Sequence, residues 1–226
     1  MRFNPSSRDE RALTLTEVMF VVLALLVIAL AFFYVAPAAR ARANRQHCHN
    51  IQRSMGYGFR VFANANDEKL PFAVTHSLAF GNATQVWAHF QTMSNELGSA
   101  KILICPADRE RLPNIKSDFG SGTSSLASAG NAAVSFGTGL DADATQPKAI
   151  LLIDRNLVTN AWNMSGKVLL AVSNGPPTEW DQQMHKLCGN ATLADGSVQQ
   201  VSNDGLADLI RLQGIATNRL LLPLLP

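Results

Sequence analysis

Glu17 is the first side chain in this sequence placed to do chemistry. It lies in the stretch RALTLTEVMFVVLALLVIALAFFYV, where Glu17 and Tyr34 are the only ionisable side chains between Leu13 and Val35. A carboxylate at the centre of a membrane segment costs about 2.5–3.5 kcal/mol, less near an end, and calls for a positive partner. A cut after Ala12 would supply one. The new amine of Leu13 would sit within a helical turn of Glu17, on the same chain or on a packed neighbour, where the two charges neutralise each other. A stray charge at a membrane interface is the plainer alternative.

Other groups invite other chemistry. His185 and Asp195-Gly196 are separated by nine residues. A catalytic His–Asp pair is one reading, but no nucleophile accompanies it, and nothing marks the nearby Cys188 as activated. The structural reading has Asp195 and Gly196 form a hairpin turn, both at positive φ, with His185 bonding a backbone carbonyl near it. Asp141 and Asp143 could supply calcium oxygens, or form an acidic loop in solvent. His47 and His49 point about 200° apart on a helix and cannot chelate one ion together. Cys48, Cys105 and Cys188 allow one disulfide in an oxidising compartment, Cys105 pairing with either Cys48 or Cys188. The glycine-rich stretch from Ser117 to Gly139 has no following Gly-Lys-Ser/Thr and is no phosphate loop.

These residues must be positioned by a modest set of elements. Of the 226 residues 47% are hydrophobic, and the net charge of +2 makes no case for nucleic acid or an acidic partner. The apolar run 13–35 is long enough for a transmembrane helix, and too long for the apolar core of an ordinary secretory signal. Pro37 is expected to kink the helix without ending it. Residues 36–66 then read as an amphipathic continuation, with Cys48, Ile51, Met55, Phe59 and Phe62 on one face and Gly56 and Gly58 weakening it. TQVWAHFQTMSNEL reads as a helix, and KILIC as a short strand or extended piece stopped by Pro106. A weak strand is expected near Val134, and firmer ones over Lys148–Asp154 and Lys167–Ser173. The Asp195-Gly196 hairpin follows, then a short helix capped by Asn203 or Asp204. This is an α+β plan with an antiparallel sheet.

The charged leader, the small Ala12 and then LTLTEVMFVV together resemble the type IV prepilin and type II secretion pseudopilin signature. The resemblance implies a leader over 1–12, cleavage between Ala12 and Leu13 by a prepilin peptidase, methylation of the Leu13 amine, and Glu17 as the assembly carboxylate. Ala12 and Leu13 stand where the family usually has Gly and Phe. The segment HKLCGNATLADG is similar to the H-x9-DG element of bacterial pseudopilin-like proteins, as are CHNIQRSMGYGFRVFANANDEKLP, ILICPAD, GLDADATQP and LQGIATNRL.

What the resemblance implies is a pilin-like α+β fold and a periplasmic domain over 67–226. The chain would be a non-enzymatic subunit of a type IV pilus or pseudopilus, with the prepilin peptidase, other subunits and the inner membrane as its partners. A late calcium site, common in major pseudopilins, would fall on Asp141 and Asp143. Arg2, Arg8 and Arg11 precede the apolar run and Arg40, Arg42 and Arg45 follow it. Asp9 and Glu10 offset the leader's charge, so the positive-inside rule favours the opposite orientation, whereas family topology keeps the leader cytoplasmic. The competing reading is a signal-anchored periplasmic enzyme or binding protein that uses His185 and Asp195.

Overall fold

The computed structural model describes residues 14–75, 85–143, 145–158, 162–163, 168–172, 177–214 and 217–225. Ala12 and Leu13 lie outside them. The chain forms two compact units, Met1–Arg42 and Ala43–Pro226. Helix α1, Leu15–Ala65, is 51 residues long and runs through that division, with Pro37 inside it. Proline removes one backbone hydrogen bond there without ending the helix.

In the first unit α1 is apolar and exposed: Leu15, Phe20, Leu23, Leu26, Ile28, Phe32 and Phe33 are each more than half accessible. By length and composition it can cross a membrane.

In the second unit α1 becomes amphipathic and buries Cys48, Gln52, Met55, Phe59 and Phe62. Short helices follow: α2 (Pro71–Thr75), α3 (Val86–Thr92), α4 (Ser94–Leu97) and α5 (Leu126–Ala129). The single helix expected over TQVWAHFQTMSNEL is therefore two, broken at Met93. The apolar KILIC is not a strand. Ala100–Leu103 is a 3-10 turn whose start is capped by Ser99, and only Ile104 beyond it is extended.

Nine strands are found among the described residues of the unit. They are β1 (Phe136–Gly139), β2 (Ile150–Asp154), β3 (Leu157–Val158), β4 (Trp162–Asn163), β5 (Val168–Val172), β6 (Glu179–Trp180), β7 (Cys188–Leu193), β8 (Val198–Ser202) and β9 (Thr217–Leu221), with helix α6 (Asn203–Leu212) between the last two. Seven of them form one sheet in the order β4-β5-β9-β1-β2-β7-β8, and β3 pairs with β6. All these pairings are antiparallel. A long N-terminal apolar helix with an antiparallel sheet is an α+β layout, as the sequence pattern predicts.

The sheet separates two apolar layers. On one side Met55, Phe59 and Phe62 of α1 meet Phe136, Leu151, Leu152, Val168 and Leu221. On the other, Leu206 and Ile210 of α6 meet Ile150, Ile153, Leu169, Ala191 and Leu220. A register shift between Ile150 and Leu152 accounts for the two adjacent leucines on the α1 side, since a bulge breaks strict alternation. Gly56 and Gly58 are close-approach positions. A Cβ on Gly56 would stand 3.0 Å from the Thr192 methyl, and one on Gly58 3.2 Å from Leu97.

Candidate functional site

Two places gather groups with chemical capacity, one in each unit. At the start of α1, the Thr14 backbone N–H and hydroxyl both donate to Glu17 Oε2, each at 2.8 Å. The Glu17 N–H in turn reaches Thr14 Oγ1 at 3.4 Å. This reciprocal pair is a capping box, Thr-x-x-Glu, which satisfies two of the free donors of a helix start. The residue types Thr14 and Glu17 at that spacing carry the signal in the sequence. The carboxylate thus turns back toward the residue that follows Leu13.

The second place is a buried polar cluster under α1, centred on Asp154 at the end of β2. Asp154 is fully buried. Its Oδ1 accepts from Gln52 Nε2 of α1 at 2.8 Å, and its Oδ2 from the Asn190 N–H at 2.7 Å and Nδ2 at 3.1 Å. Thr192 donates to Gln52 Oε1 at 3.0 Å. Strand alternation explains this set: Asn190 and Thr192 face α1 while Ala191 and Leu193 face α6. His185, 3% exposed, brings Nε2 to 3.5 Å from Asp154 Oδ2 and 3.5 Å from Cys105 Sγ. Burial pushes the Asp154 carboxyl up to about 7 despite its donors. Burial first, and the Arg45 charge second, push the His185 imidazole down to about 4, with Asp108 opposing.

The loop that delivers His185 is strained. Met184, Lys186 and Leu187 all have positive φ, at 54°, 56° and 59°, a left-handed conformation unfavourable for side chains of this size. The His185 carbonyl is anchored by Arg45 at 3.1 Å and by the Cys188 thiol at 2.7 Å. His185 therefore does not bond a carbonyl of the hairpin, as its distance in sequence from Asp195-Gly196 suggested. It packs inward, against a carboxyl group and a sulfur. Of the two pairings left open, the disulfide joins Cys48 to Cys105, with Cα atoms 5.3 Å apart, and Cys188 is free.

Asp195 and Gly196 do form the β7–β8 turn, but of a different kind. Gly196 alone has positive φ, 85°. Its N–H bonds the Leu193 carbonyl at 2.9 Å and the Leu193 N–H bonds Ser197 O at 2.8 Å. The loop is thus the three-residue Ala194-Asp195-Gly196 with its bulge at glycine, and Asp195 Oδ1 accepts from the Ser197 N–H. His185 and Asp195 stand at opposite ends of β7, so the His185–Asp195 catalytic pair is not assembled. Ser202 Oγ, rather than Asn203 or Asp204, caps α6, and Asn203 Oδ1 instead accepts from the Trp180 N–H.

The calcium reading of Asp141 and Asp143 meets prior commitments. Asp141 takes the Arg219 N–H at 2.7 Å and the Arg219 guanidinium at 2.5 and 2.8 Å. Asp143 Oδ1 accepts from the N–H and hydroxyl of Thr145, which hold it below the usual carboxylate range. Asp141 is thus committed to β9 and Asp143 to its own loop, and the two carboxylates do not share one set of partners. Sequence reading also missed Asp108. It is buried and gripped by Arg155 at 2.7 and 2.8 Å and by Ser135 at 2.8 Å. The signal lies in PADRE and IDRN, charged pairs that close apolar runs.

No protein-family model, curated protein or solved structure matches this chain.

Proposed function

We propose that this chain is a non-enzymatic, pilin- or pseudopilin-like subunit. A prepilin peptidase cuts it between Ala12 and Leu13 and methylates the Leu13 amine. The apolar half of α1 anchors the subunit in the inner membrane, with the leader cytoplasmic and the domain periplasmic. Subunits then assemble through that helix into a type IV pilus or secretion pseudopilus. The observation that carries this reading is one helix whose first half is apolar and exposed, and whose single carboxylate lies in its opening turn. Glu17 Oε2 already sits 2.8 Å from the nitrogen of the residue next to Leu13, where a new amine would be within reach.

The Cys48–Cys105 disulfide supports the orientation. Disulfides persist in oxidising compartments, so the bond favours a reading in which the residues beyond Cys48 face the periplasm. That argument opposes the arginine count, which leans the other way.

Glu17→Gln separates pairing from capping, because glutamine serves a capping box nearly as well as glutamate but carries no charge. Both Glu17→Gln and Glu17→Ala chains should insert in the membrane, and both should fail to crosslink into sheared filaments. If the Gln variant assembles like the wild type, Glu17 only caps its helix and the pairing role is wrong.

A further inference from the structure

Cys48, Cys105 and His185 come from three distant parts of the chain and converge in the core. Their two Sγ atoms and an imidazole nitrogen lie within 4.8 Å of one another, and all three residues are buried. His185 Nε2 is 3.5 Å from Cys105 Sγ. A tetrahedral ion with sulfur at about 2.3 Å and nitrogen at about 2.0–2.1 Å holds its ligands roughly 3.5 Å apart. The strained loop therefore holds the imidazole where a second ligand of a thiolate-bound ion belongs. While the sulfurs are bonded to each other neither is a thiolate, and the set cannot bind. The chain is synthesised as the dithiol, and that form differs.

We propose that in its dithiol form the chain binds one divalent ion of the zinc class through Cys48 Sγ, Cys105 Sγ and His185 Nε2, leaving the fourth position to water. Two thiolates and one imidazole suit a borderline-soft cation. Binding releases both thiol protons to solvent. The neutral imidazole coordinates through the Nε2 lone pair, with its proton on Nδ1. Oxidation expels the ion: the two thiolates pass two electrons to a disulfide-bearing oxidant, the Cys48–Cys105 bond forms, and the oxidant takes up two protons as it becomes a dithiol. Until then the ion holds Cys48 beside Cys105. Cys188, whose thiol bonds the His185 carbonyl at 2.7 Å, stays outside the ligand set, so the ion favours the native pairing.

The test uses the full-length chain in detergent, reduced with a phosphine under argon and titrated with Co²⁺. The reduced chain should take up one equivalent, with a sulfur-to-cobalt charge-transfer band and tetrahedral visible bands. The oxidised chain should show neither. Cys48→Ser should at least halve the charge-transfer band, His185→Asn should weaken binding by at least about tenfold, and Cys188→Ser, whose hydroxyl can still donate to the His185 carbonyl, should keep the band. X-ray absorption of the reduced wild type loaded with Zn²⁺ needs no variant, and should report two sulfurs at about 2.3 Å and one nitrogen at about 2.0–2.1 Å. No cobalt band in the reduced chain, a band undiminished by Cys48→Ser, a band lost with Cys188→Ser, or a zinc shell without nitrogen would each overturn the proposal.

Discussion

At the scale of single residues, Asp154 and His185 make opposite demands on pH in the disulfide form. The Asp154 pKa is raised by burial to about 7, against about 3.9 in an unfolded chain. The folded state therefore holds an extra proton between those values, and stability falls as pH rises from about 4 to 7. The His185 pKa is lowered to about 4, against about 6.5 unfolded. Its contribution is present above about 6.5 and is lost as pH falls toward 4. Each slope is about 1.4 kcal/mol per pH unit, and between pH 4 and 6.5 they cancel. Urea unfolding across that range should show the two variants tilting in opposite senses relative to the wild type. His185→Asn should lose stability as pH rises, and Asp154→Asn should gain it. Tilts of the same sign would contradict this pair. Little of it was legible beforehand. His185 was conspicuous through its spacing to Asp195-Gly196, but its partners Asp154, Gln52 and Asn190 are ordinary polar residues far away in sequence. Only the sheet register and α1 packing bring them together.

At the scale of elements, the strands with continuous apolar runs were plain. KAILLID and KVLLAVS became β2 and β5 because a strand covered on both faces needs no polar alternation. KILIC carried the same composition and became a 3-10 turn, since its backbone is capped by Ser99 and no strand pairs with it among the described residues. The hairpin was legible as a turn but not as a turn type, which depends on whether Ala194 joins the loop. Tight spots were invisible to sequence reading. A Cβ on Gly189 of β7 would stand 2.5 Å from the Trp180 ring, which is itself fully buried. Gly189→Ala should therefore destabilise the domain by about 1–3 kcal/mol, as overpacking does, through displacement of Trp180. Chemical denaturation measures the loss, and the tryptophan fluorescence of the folded state should shift with it. Unchanged stability would mean that β6 yields freely and that Trp180 is not fixed against β7.

At the scale of the whole molecule, the first unit carries an exposed apolar helix and the second is closed by a disulfide across 57 residues of sequence. Closing a loop of that length is worth about 4 kcal/mol in the chain-entropy model. Replacing Cys48 and Cys105 together by alanine should lower unfolding stability by about that much, while the single Cys188→Ala should cost less than about 1 kcal/mol. A double variant as stable as the wild type would show that α1 is held by packing alone. In the first unit, the proposed removal of a charged leader would let the apolar helix pack among its copies, and this is the central claim. Mass spectrometry of the mature chain from its native host tests it most directly. The expected polypeptide begins at Leu13 and carries one methyl group on its amine, which would keep the positive charge proposed to pair with Glu17. A mature chain that still begins at Met1, or one that begins beyond Val35, would contradict it.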